Sequence, residues 1–124
     1  MKTVCFYFQV HQPFRIRGYH ILDIGKHHNY FDDKQNQEII RKVVEKCYLP
    51  TNRLMAKLIR RHHRKFRVSY SVSGVALEQM LRWAPEVIDS FRDLVSTGGV
   101  EFLAETYYHS LSAVYSKDEF ERQV

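Results

Sequence analysis

The sequence predicts an α/β fold built on a parallel sheet, and three observations predict it. The run Thr3 to Val10 is almost continuously apolar, with β-branched and aromatic residues, as in a strand buried on both faces. Strand-like and helix-like patterns then alternate along the chain, the order expected of βαβ units. Finally, three parallel strands leave two open edges, which natural domains avoid, so the chain reads as part of a larger barrel or sheet.

The elements follow in order. The first strand stops at His11-Gln12-Pro13, where proline removes a donor and biases its predecessor toward extended geometry. Residues 14 to 34 form a long polar-aromatic loop, and a loop of that length in a compact domain is usually functional. Asp32 or Asp33 can cap a helix that buries Ile39, Ile40, Val43, Val44 and Cys47. Pro50-Thr51-Asn52 is expected to break and recap it, and Leu54, Met55, Leu58, Ile59 and His62 form the next stripe. Phe66 to Val72 alternates with period two and reads as the second strand. Val75 to Trp83 is a short helix. Pro85 opens another, with Val87, Ile88, Phe91, Leu94 and Val95 buried and Gly98-Gly99 ending it. Val100 to Ala104 is the third strand. After a second polar-aromatic loop, 105 to 115, Ser116-Lys117-Asp118-Glu119 matches a capping box, and its helix reaches Val124 after about two turns.

Composition narrows the class. Hydrophobic residues at 44% and aromatics at 14% suit a packed core rather than disorder. No apolar run approaches the roughly 20 residues of a membrane helix, and Met1 to Phe8 lacks a secretory pattern. The expectation is a cytoplasmic chain with no membrane partner. Cys5 and Cys47 read as small buried hydrophobes rather than a disulfide. The net charge of +5 is local, because residues 60–67 hold five Lys or Arg. A solvated helix end is favoured over a nucleic-acid surface, since no Gly-rich or aromatic platform adjoins the run.

Ligand sites in β/α architectures form at the C-terminal ends of strands, which singles out His11-Gln12, Ser73-Gly74 and Glu101 to His109. His11 can hydrogen-bond a hydroxyl or shuttle a proton; it can equally well fix its loop. Gln12 adds an amide. Glu101, Leu103 and Glu105 share one side of a strand, and a carboxylate pair is the kit for glycoside cleavage. Pairing of Glu101 with a neighbouring cation, and Glu105 as a plain loop residue, is the equal alternative. The adjacent pairs His27-His28 and His62-His63 point apart, and no metal-ligand spacing is present, so no metal site is expected.

These residues meet a family pattern. Phe6-Tyr7-Phe8-Gln9-Val10-His11-Gln12-Pro13 resembles the first signature of glycoside hydrolase family 57, and Gly98-Gly99-Val100-Glu101-Phe102-Leu103 resembles the second. Ala104-Glu105-Thr106-Tyr107-Tyr108-His109-Ser110-Leu111 is similar to the α-amylase-like branch. The resemblance covers essentially the whole chain. It implies that residues 1–124 are the N-terminal portion, about three βα units, of a seven-stranded parallel β/α barrel. It further implies retaining chemistry on α-1,4-glucans or maltooligosaccharides without a cofactor. His11 and Glu101 would line the sugar subsite, with Gln12 and His109 as further binding residues. The nucleophilic Glu and acid Asp are expected beyond Val124, so Glu105 is not assigned their role and the chain alone is expected to be inactive. Two competing readings are a carbohydrate deacetylase on a related barrel, which needs metal-ligating Asp and His, and a basic binding module using residues 60–67. Oligomeric state is left open.

Overall fold

The computed structural model describes residues 3–124, apart from the side chain of Arg64. Three parallel strands form one sheet in the order β1-β2-β3: β1 (Tyr7–Val10), β2 (Val68–Val72) and β3 (Val100–Leu103). In register, Tyr7 aligns with Ser69 and Glu101, Phe8 with Tyr70 and Phe102, and Gln9 with Ser71 and Leu103. Residues in one row point to one side, so the sheet has an aromatic face and a polar face. On the aromatic face Tyr70, 2% exposed, lies between Phe8 (ring centroids 5.1 Å) and Phe102 (5.8 Å), with Phe91 edge-on at 5.8 Å. Such aromatic pairs contribute about 0.5–1.5 kcal/mol each beyond burial.

The helices pack on that face. Asp32 caps α1 (Asp33–Val43), its Oδ1 accepting from the Gln35 amide at 3.0 Å. The expected break at Pro50 is not there. A five-residue π-helical segment, Val44–Tyr48, joins α1 directly to α2 (Leu49–His62). Proline removes one donor and crowds the carbonyl four residues back, here Lys46 inside the widened turn, so the π segment absorbs Pro50 without ending the helix. Asn52 does not recap; it is buried and donates to Ser90 Oγ at 2.9 Å. Met55, Ala56 and Ile59 form the centre of the α2 stripe, while Leu54, off that centre, is half-exposed rather than buried.

Gly74–Trp83 forms α3 and Glu86–Ser96 forms α4. Val87, Phe91 and Leu94 are buried, but Val95 faces outward, one position past the stripe. Gly98 ends α4 with φ +66°, a conformation that glycine takes at little cost. A short α5 (Ser112–Tyr115) precedes α6 (Lys117–Gln123). Half of the expected capping box forms: Ser116 Oγ accepts from the Glu119 amide at 3.3 Å. The Glu119 carboxylate instead takes Arg122 and Gln123, which hold its pKa down at about 2.

Two further expectations are corrected. The first strand is shorter than Thr3–Val10 and is an edge strand with Tyr7 half-exposed, because among the described residues no strand pairs with its outer side. Cys5 and Cys47 are both exposed free thiols rather than buried hydrophobes. Cys47 lies in the π segment, whose widened turn rotates it off the α1 stripe. Among the described residues no helix is long and apolar enough to cross a membrane.

Candidate active-site wall at the strand ends

The polar face of the sheet carries the chemistry. Tyr7, Ser69 and Glu101 form its first row, and Gln9, Ser71 and Leu103 its second. Continuing by period two brings His11, Ser73 and Glu105 to the C-terminal ends. Backbone pairing persists there, since the Ser73 amide donates to the Val10 carbonyl at 3.1 Å. Ser73 is buried, and its Oγ lies 2.7 Å from His11 Nδ1. Burial of His11, and then the neighbouring His109, push its imidazole pKa below the ordinary 6.5. The ring therefore stays neutral near neutral pH, presenting one donor and one acceptor.

The loop after β3 supplies the opposite side. The His109 ring lies against the Glu105 carboxylate and 4.8 Å, centroid to centroid, from the His11 ring. Gln9 Nε2 reaches Glu105 Oε1 at 3.3 Å and His109 Nδ1 at 3.0 Å. The Glu105 side chain is only 9% exposed, and its Oε2 is buried without a hydrogen-bond partner among the described residues. His109 takes φ +54°, an uncommon conformation outside glycine that is found at sites over-determined by their surroundings.

That surrounding structure is visible. The Tyr107 ring packs on Gly74, where a Cβ would stand 2.1 Å from Tyr107 Cδ2. The Tyr107 carbonyl accepts from the Val75 amide at 3.1 Å, and its hydroxyl donates to Glu78 Oε2 at 2.8 Å. The Tyr107 amide donates to the Gln123 carbonyl at 2.9 Å. The start of α3 and the end of α6 thus fix the loop that carries Glu105 and His109.

Of the four residues singled out from sequence, the structure brings two together, His11 and His109. Gln12 turns aside: its Oε1 accepts from Arg15 Nη1 at 3.1 Å, and its carbonyl from Gln79 Nε2 at 2.6 Å. Arg15 is in turn held by buried Asn36, whose Oδ1 accepts from the Arg15 amide at 2.7 Å. Glu101 shares the polar face with Glu105, as period two predicts, but lies four residues back, about 13 Å along the strand. It lines a cavity of about 430 Å³ at the opposite end of the sheet, with Lys65, Arg67 and Ser69. Sequence reasoning marked Ser73 and Glu105 as strand-end positions without giving either a binding role, and it passed over Gln9. For Gln9 and Ser73 the signal was available, two residues before His11 and one past the second strand. Among the described residues no group of three or more His, Cys, Asp or Glu is placed to hold a metal ion.

Residues 5–124 match the description of Glycosyl hydrolase family 57. The chain is 44% identical over 123 residues to a protein of Methanocaldococcus jannaschii named "Putative alpha-amylase", covering 94% of this chain and 25% of that one. The chain therefore spans about a quarter of the length of this curated relative. Among solved structures, the 4-alpha-glucanotransferase of Thermococcus litoralis superposes with a TM-score of 0.64 at 18% identity, over 97% of this chain and 15% of that one. At that identity the likeness shows the fold alone.

Proposed function

The chain belongs to glycosyl hydrolase family 57, and from that premise we propose that it forms the first three βα units of a seven-stranded barrel that cleaves or transfers α-1,4-glucans. The name of the similar Methanocaldococcus jannaschii protein, "Putative alpha-amylase", supports an α-glucan as substrate. The observation that carries the reading is the cluster of Gln9, His11, Ser73, Glu105 and His109 at the C-terminal strand ends, where β/α folds bind their ligands. A neutral His11 and an amide from Gln9 offer the mixed donors and acceptors that sugar hydroxyls require.

The chain's part in the reaction is to bind and orient. Retaining glycosidases need two carboxyl groups about 5–5.5 Å apart, one attacking the anomeric carbon and one protonating the leaving oxygen. Glu101 lies in β3 and Glu105 two residues beyond its end, and four residues of extended backbone rise about 13 Å, more than twice the separation that the pair needs. We assign the nucleophile and acid to other strands of the barrel. His11 and His109 contact the sugar; Glu101 forms wall deeper in the barrel; Gln12 anchors the long loop through Arg15.

Electrophoresis through a gel containing soluble amylose tests this. The purified chain should be retarded, and His11→Ala should weaken retardation by about tenfold or more, the worth of a hydrogen bond to a buried polar partner. Equal mobility with and without amylose, or a His11→Ala chain retarded like the wild type, would overturn the reading. Reducing-sugar release from maltooligosaccharides should stay at background.

A further inference from the structure

The Glu105 carboxylate is over-buried for a structural role. One oxygen is used by Gln9 and the His109 ring, while Oε2 is shut from solvent with nothing to accept from. A buried acceptor without a donor costs free energy, more so on a charged group. Natural interiors rarely keep such an orphan unless something arrives to use it. The side chain against the other oxygen, His109, is itself 43% exposed and sits on strained backbone with φ +54°. A ring so placed can rotate outward without breaking any core packing.

We propose that Glu105 is a substrate-contacting residue, its free oxygen accepting one hydroxyl of a sugar ring once the His109 imidazole swings aside. The proposal rests on the α-glucan reading and deepens it. His11, held by Ser73, forms the fixed side of the subsite, and Glu105 with His109 the side that adapts. No covalent step is assigned to Glu105; it selects a ring that offers a hydroxyl at this point. The preference follows from chemistry, because a site built to bond a hydroxyl strongly rejects the analogue that lacks it.

The experiment is a calorimetric titration of the 124-residue chain with maltotriose and with a set of maltotrioses each lacking one hydroxyl. Glu105→Gln keeps the shape and the bond to Gln9 while removing the charge. It should weaken maltotriose binding roughly tenfold to a hundredfold and leave the melting temperature unchanged or raised. One deoxy compound should bind the wild type and Glu105→Gln alike, identifying the hydroxyl. Glu121→Gln, at an exposed carboxylate near Lys117, should bind as the wild type does. If His11→Ala weakens binding but Glu105→Gln does not, this inference fails and the α-glucan reading stands. If Glu105→Gln instead lowers the melting temperature, or no deoxy compound removes the difference, Glu105 is structural and the inference fails. If wild-type chain does not bind maltotriose or amylose, both fall together.

Discussion

Replacing Gly74 by alanine sets two physical effects against each other. Helix propensity alone favours alanine over glycine by up to about 1 kcal/mol, although at the first residue of α3 much of that gain is lost. Against it, the added Cβ would stand 2.1 Å from Tyr107 Cδ2 and 2.5 Å from Cε2, so the ring must move. The ring is tethered by its hydroxyl on Glu78, and the Tyr107 backbone is held through both its amide and its carbonyl. Overpacking of this kind costs about 1–3 kcal/mol. For a chain of this length, 1 kcal/mol moves Tm by about 4 °C, so Gly74→Ala should lower it by about 4–12 °C. The assay is thermal unfolding by circular dichroism, combined with the double variant Gly74→Ala, Tyr107→Ala. Because the two groups collide, the double variant should be more stable than the sum of the singles by about 0.5–3 kcal/mol. A neutral or stabilised Gly74→Ala chain, or strict additivity, would refute the claim that Tyr107 packing on Gly74 sets the position of the Glu105–His109 loop.

Other outcomes follow from the same structure. Tyr70→Ala should cost about 3–5 kcal/mol in denaturant melts, because the ring fills the aromatic face between Phe8 and Phe102. In the native protein burial pushes the Tyr70 hydroxyl up to about 12 from its ordinary 10.0, so its ultraviolet titration should lag the exposed tyrosines. The pKa is raised on folding, so its contribution to stability is complete below pH 10 and declines as pH rises from there toward 12. For His11 the sign is reversed. Its depressed pKa gives stability that is full above 6.5 and is lost as pH falls below it, and its ring signals in nuclear magnetic resonance should titrate below that value. Asp32→Ala removes the cap of a helical run that continues through Pro50, and should cost about 1 kcal/mol in chemical unfolding.

Much of this architecture was legible in the sequence. Period-two alternation located β2, and helical stripes located α1 to α4, because a face buried against a partner imposes its period on the residues. The shared side of Glu101 and Glu105 followed from the same rule. What the sequence obscured depends on contacts between distant segments. Pro50 read as a break because local rules count its lost donor, whereas the widened turn at Val44–Tyr48 and packing of α2 on α4 keep the helix whole. Cys47 and Val95 read as buried because a stripe seen in sequence does not reveal where a turn widens or a neighbour ends. The site itself was half-visible. His11 stood out as a strand-end imidazole, but its partner Ser73 lies 62 residues away and Glu105 reaches Gln9 across 96. No local signal distinguishes a loop glutamate from one folded inward under a histidine; only the register of three strands brings them together.

On the proposed reading the polar strand ends, rather than any other surface, receive an α-glucan. The direct measurement is a map of backbone and histidine-ring chemical shifts in the labelled chain as maltotriose is added. Shifts should concentrate on Gln9, His11, Ser73, Glu105 and His109, spreading to Tyr107 and Gly74. No shift at saturating sugar, or shifts confined to the basic segment 60–67 at the other end of the sheet, would contradict it.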